Sequence, residues 1–181
     1  MKRLAGFIAA IAVGVAAILA FAVGRPSAAA ATSAKHASSP DVAQFQTMFG
    51  NHAPFIGAAG AIRGVTAAPL PWMIHSVKGD LDANGQLDID VDGLVLANDP
   101  AVPANLRGTN PVPFFAGIVS CITTSNGAIV TSNVMTANFS ATMPGGNAHI
   151  RQKLTLPHPC VAPIVFVTSP NGGVWFAVTG N

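Results

Sequence analysis

The stretch that decides the fold is Ser76–Asp92, SVKGDLDANGQLDIDVD, in which apolar and polar residues alternate on both sides of a turn. A three-residue loop ending at Gly85 pairs Leu81 with Leu87, and this register gathers the aliphatic side chains on one face. The turn chemistry agrees, because a type I turn favours aspartate first, here Asp82, and the following left-handed bulge position favours glycine. The stretch therefore predicts an antiparallel hairpin with one buried face and one acidic face.

The two faces of this hairpin have opposite character. The buried face is predicted to hold Val77, Leu81, Leu87, Ile89 and Val91, and the other face Lys78, Asp80, Asp82, Asp88, Asp90 and Asp92. Asp80 then lies directly opposite Asp88, a like-charge pair that costs roughly a few tenths of a kcal/mol. Lys78 opposite Asp90 offsets part of this repulsion, and a bound cation would offset more.

Oxygen-bearing side chains follow the spacing of a calcium loop at four positions, Asp80, Asp82, Asn84 and Asp88. The stretch resembles the EF-hand loop and, more closely, the Asp-rich loops inserted in some β-propellers. It departs from the EF-hand where Val91 replaces the bidentate glutamate, and the chain contains no glutamate. A calcium ion at these four residues is one prediction and a solvated acidic face is the alternative; no other cofactor is predicted.

The chain after Gly60 consists of short runs rich in Val, Ile, Thr and Phe, separated by Gly, Pro and Asn. The candidate strands are Ala61–Ala67, Trp72–Asp82, Gln86–Leu96, Phe114–Thr123, Ala128–Met135, Ala137–Met143, Ala148–Leu156, Ile164–Thr168 and Val174–Thr179. No long helical period separates them, which excludes βαβ units. The predicted fold is all-β, a single antiparallel β-sandwich or partly closed barrel.

Residues 32–59 are predicted to form a tether and one short N-terminal helix, with the β domain over residues 60–181. The helix is placed over Ser39–Phe49, because Ser39 can cap it and Pro40 suits the first helical position. Apolar residues recur at helical spacing along this segment, so the helix is expected to dock on the domain.

The N-terminus has the three parts of a secretory signal, predicted over residues 1–31. Lys2 and Arg3 precede the apolar run Leu4–Gly24, and small residues with Ala-x-Ala sites follow. The run is also long enough, at about 20 residues, to span a bilayer as an uncleaved anchor. Because Pro26 disfavours a continuous helix, the prediction is a secreted protein, with membrane anchoring by this segment as the alternative.

Export changes the charge of the chain. The whole sequence carries nine basic and seven acidic residues, a formal charge of +2. Removing Lys2, Arg3 and Arg25 with the leader leaves six basic residues against seven aspartates, a charge of −1. The mature chain has no basic cluster, so no nucleic-acid partner is predicted, and no membrane contact is expected after cleavage.

The two cysteines, Cys121 and Cys160, are predicted to form a disulfide, because an exported chain with an even cysteine count favours one. Two buried thiols are the alternative. The bond is expected to join facing sheets, and closing a loop of about 40 residues stabilises the fold by around 4 kcal/mol.

No catalytic residue is predicted. The chain has no Gly-x-Ser-x-Gly elbow and no histidine pair at zinc-site spacing. Most of its aspartates fall on one exposed face, which lacks the burial that raises the pKa of a general acid.

The aromatic residues have two interpretations. The set comprises Trp72, Phe114, Phe115, Phe166, Trp175 and Phe176, all in apolar segments. A sandwich core is the first interpretation, and an exposed platform for a glycan or protein ligand is the second.

The predicted function is that of a secreted or cell-surface, non-catalytic β-sandwich protein, serving as a structural or binding module. The alternatives are a calcium-binding extracellular module that uses the Asp80–Asp88 loop, and a secreted hydrolase of unspecified substrate.

Overall fold

The computed structural model describes residues 39–180, which form an all-β structure. The strands are β1 (Asp41–Phe45), β2 (Met48–Gly50), β3 (Trp72–Met73), β4 (Ser76–Asp82), β5 (Gln86–Asp92), β6 (Val95–Leu96), β7 (Phe114–Ser125), β8 (Ala128–Met135), β9 (Phe139–Ser140), β10 (Ala148–Lys153), β11 (Val161–Thr168) and β12 (Trp175–Thr179). The helical elements within the described residues are two 3₁₀ turns, Gly57–Gly60 and Pro170–Gly172.

The strands form two antiparallel sheets and a small two-stranded ribbon. The four-stranded sheet has the order β1-β4-β5-β10, and the larger sheet has the order β2-β12-β11-β7-β8, with β9 also paired to β7. The ribbon pairs β3 with β6. Neither sheet closes on itself over the described residues, so the prediction of an all-β sandwich is confirmed.

The opening hairpin, β4 and β5, has the predicted register. Leu81 pairs with Leu87 and Asp80 with Asp88, and the aliphatic face is buried as expected. Gly85 has a φ of +83° at the bulge position, which a residue with a Cβ rarely adopts. Asp82 begins the turn, and its Oδ1 atom accepts hydrogen bonds from the backbone N–H groups of two later residues.

The short helix predicted over Ser39–Phe49 is wrong, because this segment forms β1 and β2. β1 pairs with β4 and β2 pairs with β12, so both sheets recruit residues upstream of residue 60. Phe45 is buried at the end of β1, and in β2 Met48 is buried while its neighbour Phe49 is exposed. The ring of Phe45 fills the space left by the missing side chain of Gly79 on β4. Pairing at two open edges therefore outweighs the helical spacing of the sequence.

The strand predicted over Ala61–Ala67 is also wrong. Arg63 and Gly64 both have positive φ and form a tight turn, so the segment makes only isolated bridges. It covers the outer surface of the larger sheet, where Val65 and Ala67 pack in a second apolar cluster with Trp175. The main core lies between the two sheets.

Both tryptophans belong to apolar clusters, as the core interpretation predicted. Trp72 and Trp175 are 5% and 3% exposed. Trp72 stacks on Phe176 with a centroid distance of 4.0 Å, and Trp175 donates its indole N–H to the Gly60 carbonyl. The platform interpretation is wrong for these two residues.

The predicted disulfide between Cys121 and Cys160 is present, with a Cα–Cα distance of 4.9 Å. The expectation that it joins facing sheets is wrong. Cys121 lies in β7, and Cys160 immediately precedes β11, the neighbour of β7 in the same sheet. The bond therefore braces two adjacent strands where β11 has an irregular register, between Val161 and Ile164.

Over residues 39–180 no helix is long and apolar enough to cross a membrane. The predicted leader, residues 1–31, lies outside the described residues, so the export prediction stays a prediction.

Candidate cation-binding face

The outer surface of the four-stranded sheet concentrates the charge of the protein. Because alternate residues of β4 and β5 are buried against the other sheet, the intervening charged residues must point outward. We call this surface the acidic face, comprising Lys78, Asp80, Asp82, Asp88, Asp90, Asp92, His149, Arg151 and Lys153. Asp41 on β1 adds another carboxylate opposite Asp82, which leaves Asp99 as the one aspartate outside this sheet.

A shallow groove of about 730 Å³ crosses the acidic face. Its charged lining consists of Lys78, Asp80, Asp88, Asp90, His149 and Arg151. Carboxylates therefore line the floor of the groove together with donors from β4 and β10, an arrangement that suits a small polar or cationic ligand.

His149 is held over the carboxylates by the pairing of β10 with β5. This register places His149 opposite Asp90 and Arg151 opposite Asp88. The His149 Nδ1 atom lies 2.6 Å from Asp90 Oδ1 and 3.7 Å from Asp88 Oδ1. The Arg151 Nε atom lies 3.4 Å from the other oxygen of Asp88. One imidazole nitrogen thus faces two carboxylates, and an arginine orients the more buried of the two.

The aspartate–histidine cluster of Asp88, Asp90 and His149 has the geometry of an incomplete metal site. Its three ligand atoms lie within 4.8 Å of one another. Among the described residues, this is the cluster of three histidine, cysteine or acidic side chains that is close enough to hold one metal ion. Imidazole nitrogen with two carboxylate oxygens suits zinc and similar first-row divalent ions, whereas calcium prefers six or more oxygens. Because Asp90 and His149 are mostly exposed, water would complete the coordination.

The predicted calcium ligands do not converge in the same way. Asp80 and Asp88 face each other across the ladder, but Asp82 uses Oδ1 to accept two backbone N–H groups at 2.8 Å. Asn84 donates its side-chain amide to Ser39 Oγ. The calcium prediction therefore stays a prediction, and only Asp88 is common to it and the aspartate–histidine cluster.

Crowding of like charges affects the protonation of Asp80. Partial burial raises the pKa of Asp80, and the nearby carboxylates of Asp41, Asp88 and Asp82 raise it further, while Arg151 opposes them. The face therefore carries negative charge that its own cations do not fully neutralise. Such a surface attracts a cation.

Exposed phenylalanines form a separate apolar site. Phe49 and Phe55 are 61% and 58% exposed, and they line a cavity of about 450 Å³ with His52 and Ile62. Phe114, from the predicted aromatic set, is also exposed. The predicted glycan or protein ligand at exposed aromatics is thus confined to phenylalanine side chains.

The alternation in the sequence predicts Asp88 and Asp90 on the acidic face, but it does not add His149. The two strands that meet here are distant in sequence, since His149 lies 59 residues from Asp90. The alternation of His149, Arg151 and Lys153 in β10 was the available signal, because it marks a strand whose outer side is polar. Comparison with protein-family models, with curated proteins and with solved structures finds no match to this chain.

Proposed function

We propose that the protein is exported and acts as a non-catalytic β-sandwich module that binds a divalent metal ion, of which zinc is the representative, on its acidic face. The observation that carries this proposal is the convergence of Asp88, Asp90 and His149 within 4.8 Å. The disulfide and the leader-like N-terminus support an oxidising compartment outside the cytoplasm.

The cluster supports binding more than catalysis, because His149 and Asp90 are mostly exposed and the groove is shallow, whereas a catalytic metal ion works in a cavity that excludes water. A bound ion would displace the contact between His149 and Asp90, whose 2.6 Å separation is shorter than the spacing of two ligands around one zinc ion. Lys78 lies opposite Asp90 in the register of β4 and β5, and the Arg151 Nε atom lies 3.4 Å from Asp88 Oδ2, so nearby positive charge weakens the attraction of the cluster for a metal ion. We therefore expect moderate affinity and a role in binding, with the ion also linking the edge strand β10 to β5.

Isothermal titration of the purified full chain with zinc chloride and, separately, calcium chloride tests the proposal. Two variants distinguish the sites: His149→Gln removes a ligand of the aspartate–histidine cluster, and Asp80→Asn removes a predicted calcium ligand outside it. Zinc heat that is retained in Asp80→Asn and lost in His149→Gln supports the proposal.

A heat of calcium binding that is lost in Asp80→Asn and retained in His149→Gln would instead support a calcium site in the loop of Asp80, Asp82, Asn84 and Asp88. Asp80 lies directly opposite Asp88 in the ladder, and this like-charge pair, which a bound cation would relieve, is the observation that favours this second candidate. If neither ion gives heat at millimolar concentration, metal binding is ruled out for both sets of residues.

A further inference from the structure

The main strand orders of the two sheets end in four edge strands within residues 39–180, and three of these have features that block pairing with another chain. β2 has only three residues, and β1 contains a register shift between Asp41 and Ala43. β10 carries His149, Arg151 and Lys153 on its outer side. Short length, bulges and charge are the usual means by which proteins protect a sheet edge.

The fourth edge, β8, has none of these features. Its sequence AIVTSNVM spans eight residues without charge, proline or glycine, and it pairs with β7 in an unbroken register. No other strand pairs with its second side within the described residues. Ile129 is 81% exposed, and Met135 is also exposed. A long, regular, uncharged edge is the kind that pairs with another strand.

The turn between β7 and β8 identifies the backbone groups on the open side. Asn126 and Gly127 both have positive φ, as in a two-residue type I′ turn, and Ser125 pairs with Ala128. Residues that flank such a turn exchange hydrogen bonds, and the pattern then alternates along the ladder. The N–H and C=O groups of Ile129, Thr131, Asn133 and Met135 therefore point away from β7.

The open edge is complementary to itself when two copies pair antiparallel about Ser132. This register places Ile129 opposite Met135 of the second copy and Thr131 opposite Asn133. Exposed apolar residues then meet across the ladder, and the open backbone groups of both copies form about eight hydrogen bonds. Since β8 has no charged residue, like charges do not oppose the approach of a second copy.

We propose that the protein forms a two-fold symmetric homodimer through antiparallel pairing of β8 with β8 of a second copy. The paired strands run about 27 Å and join the two larger sheets into one continuous sheet. The contact is narrow, so the dimer forms reversibly as concentration rises. Pairing uses the second side of β8 in both copies, and the assembly therefore stops at two.

Sedimentation velocity of the full chain over a micromolar to millimolar series, with and without added salt, tests the dimer. Ile129→Lys adds a charge at the edge without disturbing the core, and we expect it to abolish dimerisation at concentrations where the wild type is half dimeric. In the double variant Ile129→Lys, Met135→Glu, each lysine faces a glutamate of the other copy. We expect this variant to dimerise again, and more weakly as salt is added.

Met143→Lys is the matched control, because Met143 is similarly exposed but lies in the loop between β9 and β10. We expect it to dimerise like the wild type. A wild-type chain that remains monomeric throughout the series would overturn the proposal. A dimer that persists in Ile129→Lys, or that fails to return in the double variant while each chain stays folded by circular dichroism, would also overturn it.

Discussion

Removal of the disulfide gives the largest stability change that the structure predicts. The cysteines are 39 residues apart in sequence, so the bond closes a long loop in the unfolded chain. The chain-entropy relation gives a loss of about 4 kcal/mol when this loop is opened. Replacing both cysteines with alanine also truncates the fully buried Cys121, which adds about 1 kcal/mol for the small cavity. Since domains are stable by roughly 5–15 kcal/mol, the double variant should lose at least about a third of its stability.

Urea denaturation followed by tryptophan fluorescence measures this change, because both tryptophans are buried in the folded state. We expect the Cys121→Ala, Cys160→Ala chain to lose about 5 kcal/mol, which corresponds to a fall in Tm of roughly 10–20 °C. We also expect its m-value to rise, because an unfolded chain without the cross-link exposes more surface.

The wild-type chain that has been reduced and refolded in reductant is the control, since it loses the bond but keeps both sulfur atoms. It should lose only the loop-closure part, about 4 kcal/mol. A loss below about 1 kcal/mol in both proteins would refute the conclusion that the bond between β7 and β11 constrains the unfolded chain.

Three further predictions concern single positions. Gly79→Ala should destabilise the fold by about 1–3 kcal/mol in urea denaturation, because the added Cβ would overlap the Phe45 ring and approach the Asp88 carbonyl to 2.8 Å. In the control Gly145→Ala the added Cβ meets only a side-chain hydroxyl, so the free energy of unfolding should change little. Asn51→Ala should cost about 2–3 kcal/mol, because its buried amide donates to two carbonyls and accepts the N–H of Trp72; an unchanged midpoint would contradict this. Asp80→Asn should stabilise the fold at pH 7 by about 0.5 kcal/mol. The folded-state pKa of Asp80 is raised, mainly by partial burial, so the ionised carboxylate costs stability above that pKa. The stability gained by Asp80→Asn should therefore disappear as the pH falls below the ordinary value of 3.8. A gain that persists at lower pH would refute this cause.

The hairpin of β4 and β5 could be predicted in full because its information is local. One register alone buries Leu81 and Leu87 together, and Gly85 permits the turn that this register needs. The segment around Phe45 could not be predicted from local pattern, because its apolar spacing fits a helix as well as a strand. Its conformation depends on the open edge of β4 and on the space above Gly79, which are known only once the sheet exists.

In the candidate site, too, the residues placed by local pattern could be predicted and the residue placed by long-range pairing could not. Asp88 and Asp90 could be placed on an exposed acidic face from alternation alone, since both flank the buried Ile89. His149 joins them only through the long-range pairing of β10 with β5, and local sequence does not specify which strands become neighbours. The disulfide shows the same limit, because the pairing of Cys121 with Cys160 could be predicted but the adjacency of β7 and β11 could not.

The location of a bound zinc ion tests the proposed function most directly. Crystals of the full chain grown with zinc chloride, with anomalous data collected on both sides of the zinc absorption edge, would locate the ion without assumption. We expect one peak about 2.0–2.2 Å from His149 Nδ1 and from a carboxylate oxygen of each of Asp88 and Asp90. An acidic face without a peak, or a peak held by other residues, would contradict the proposal.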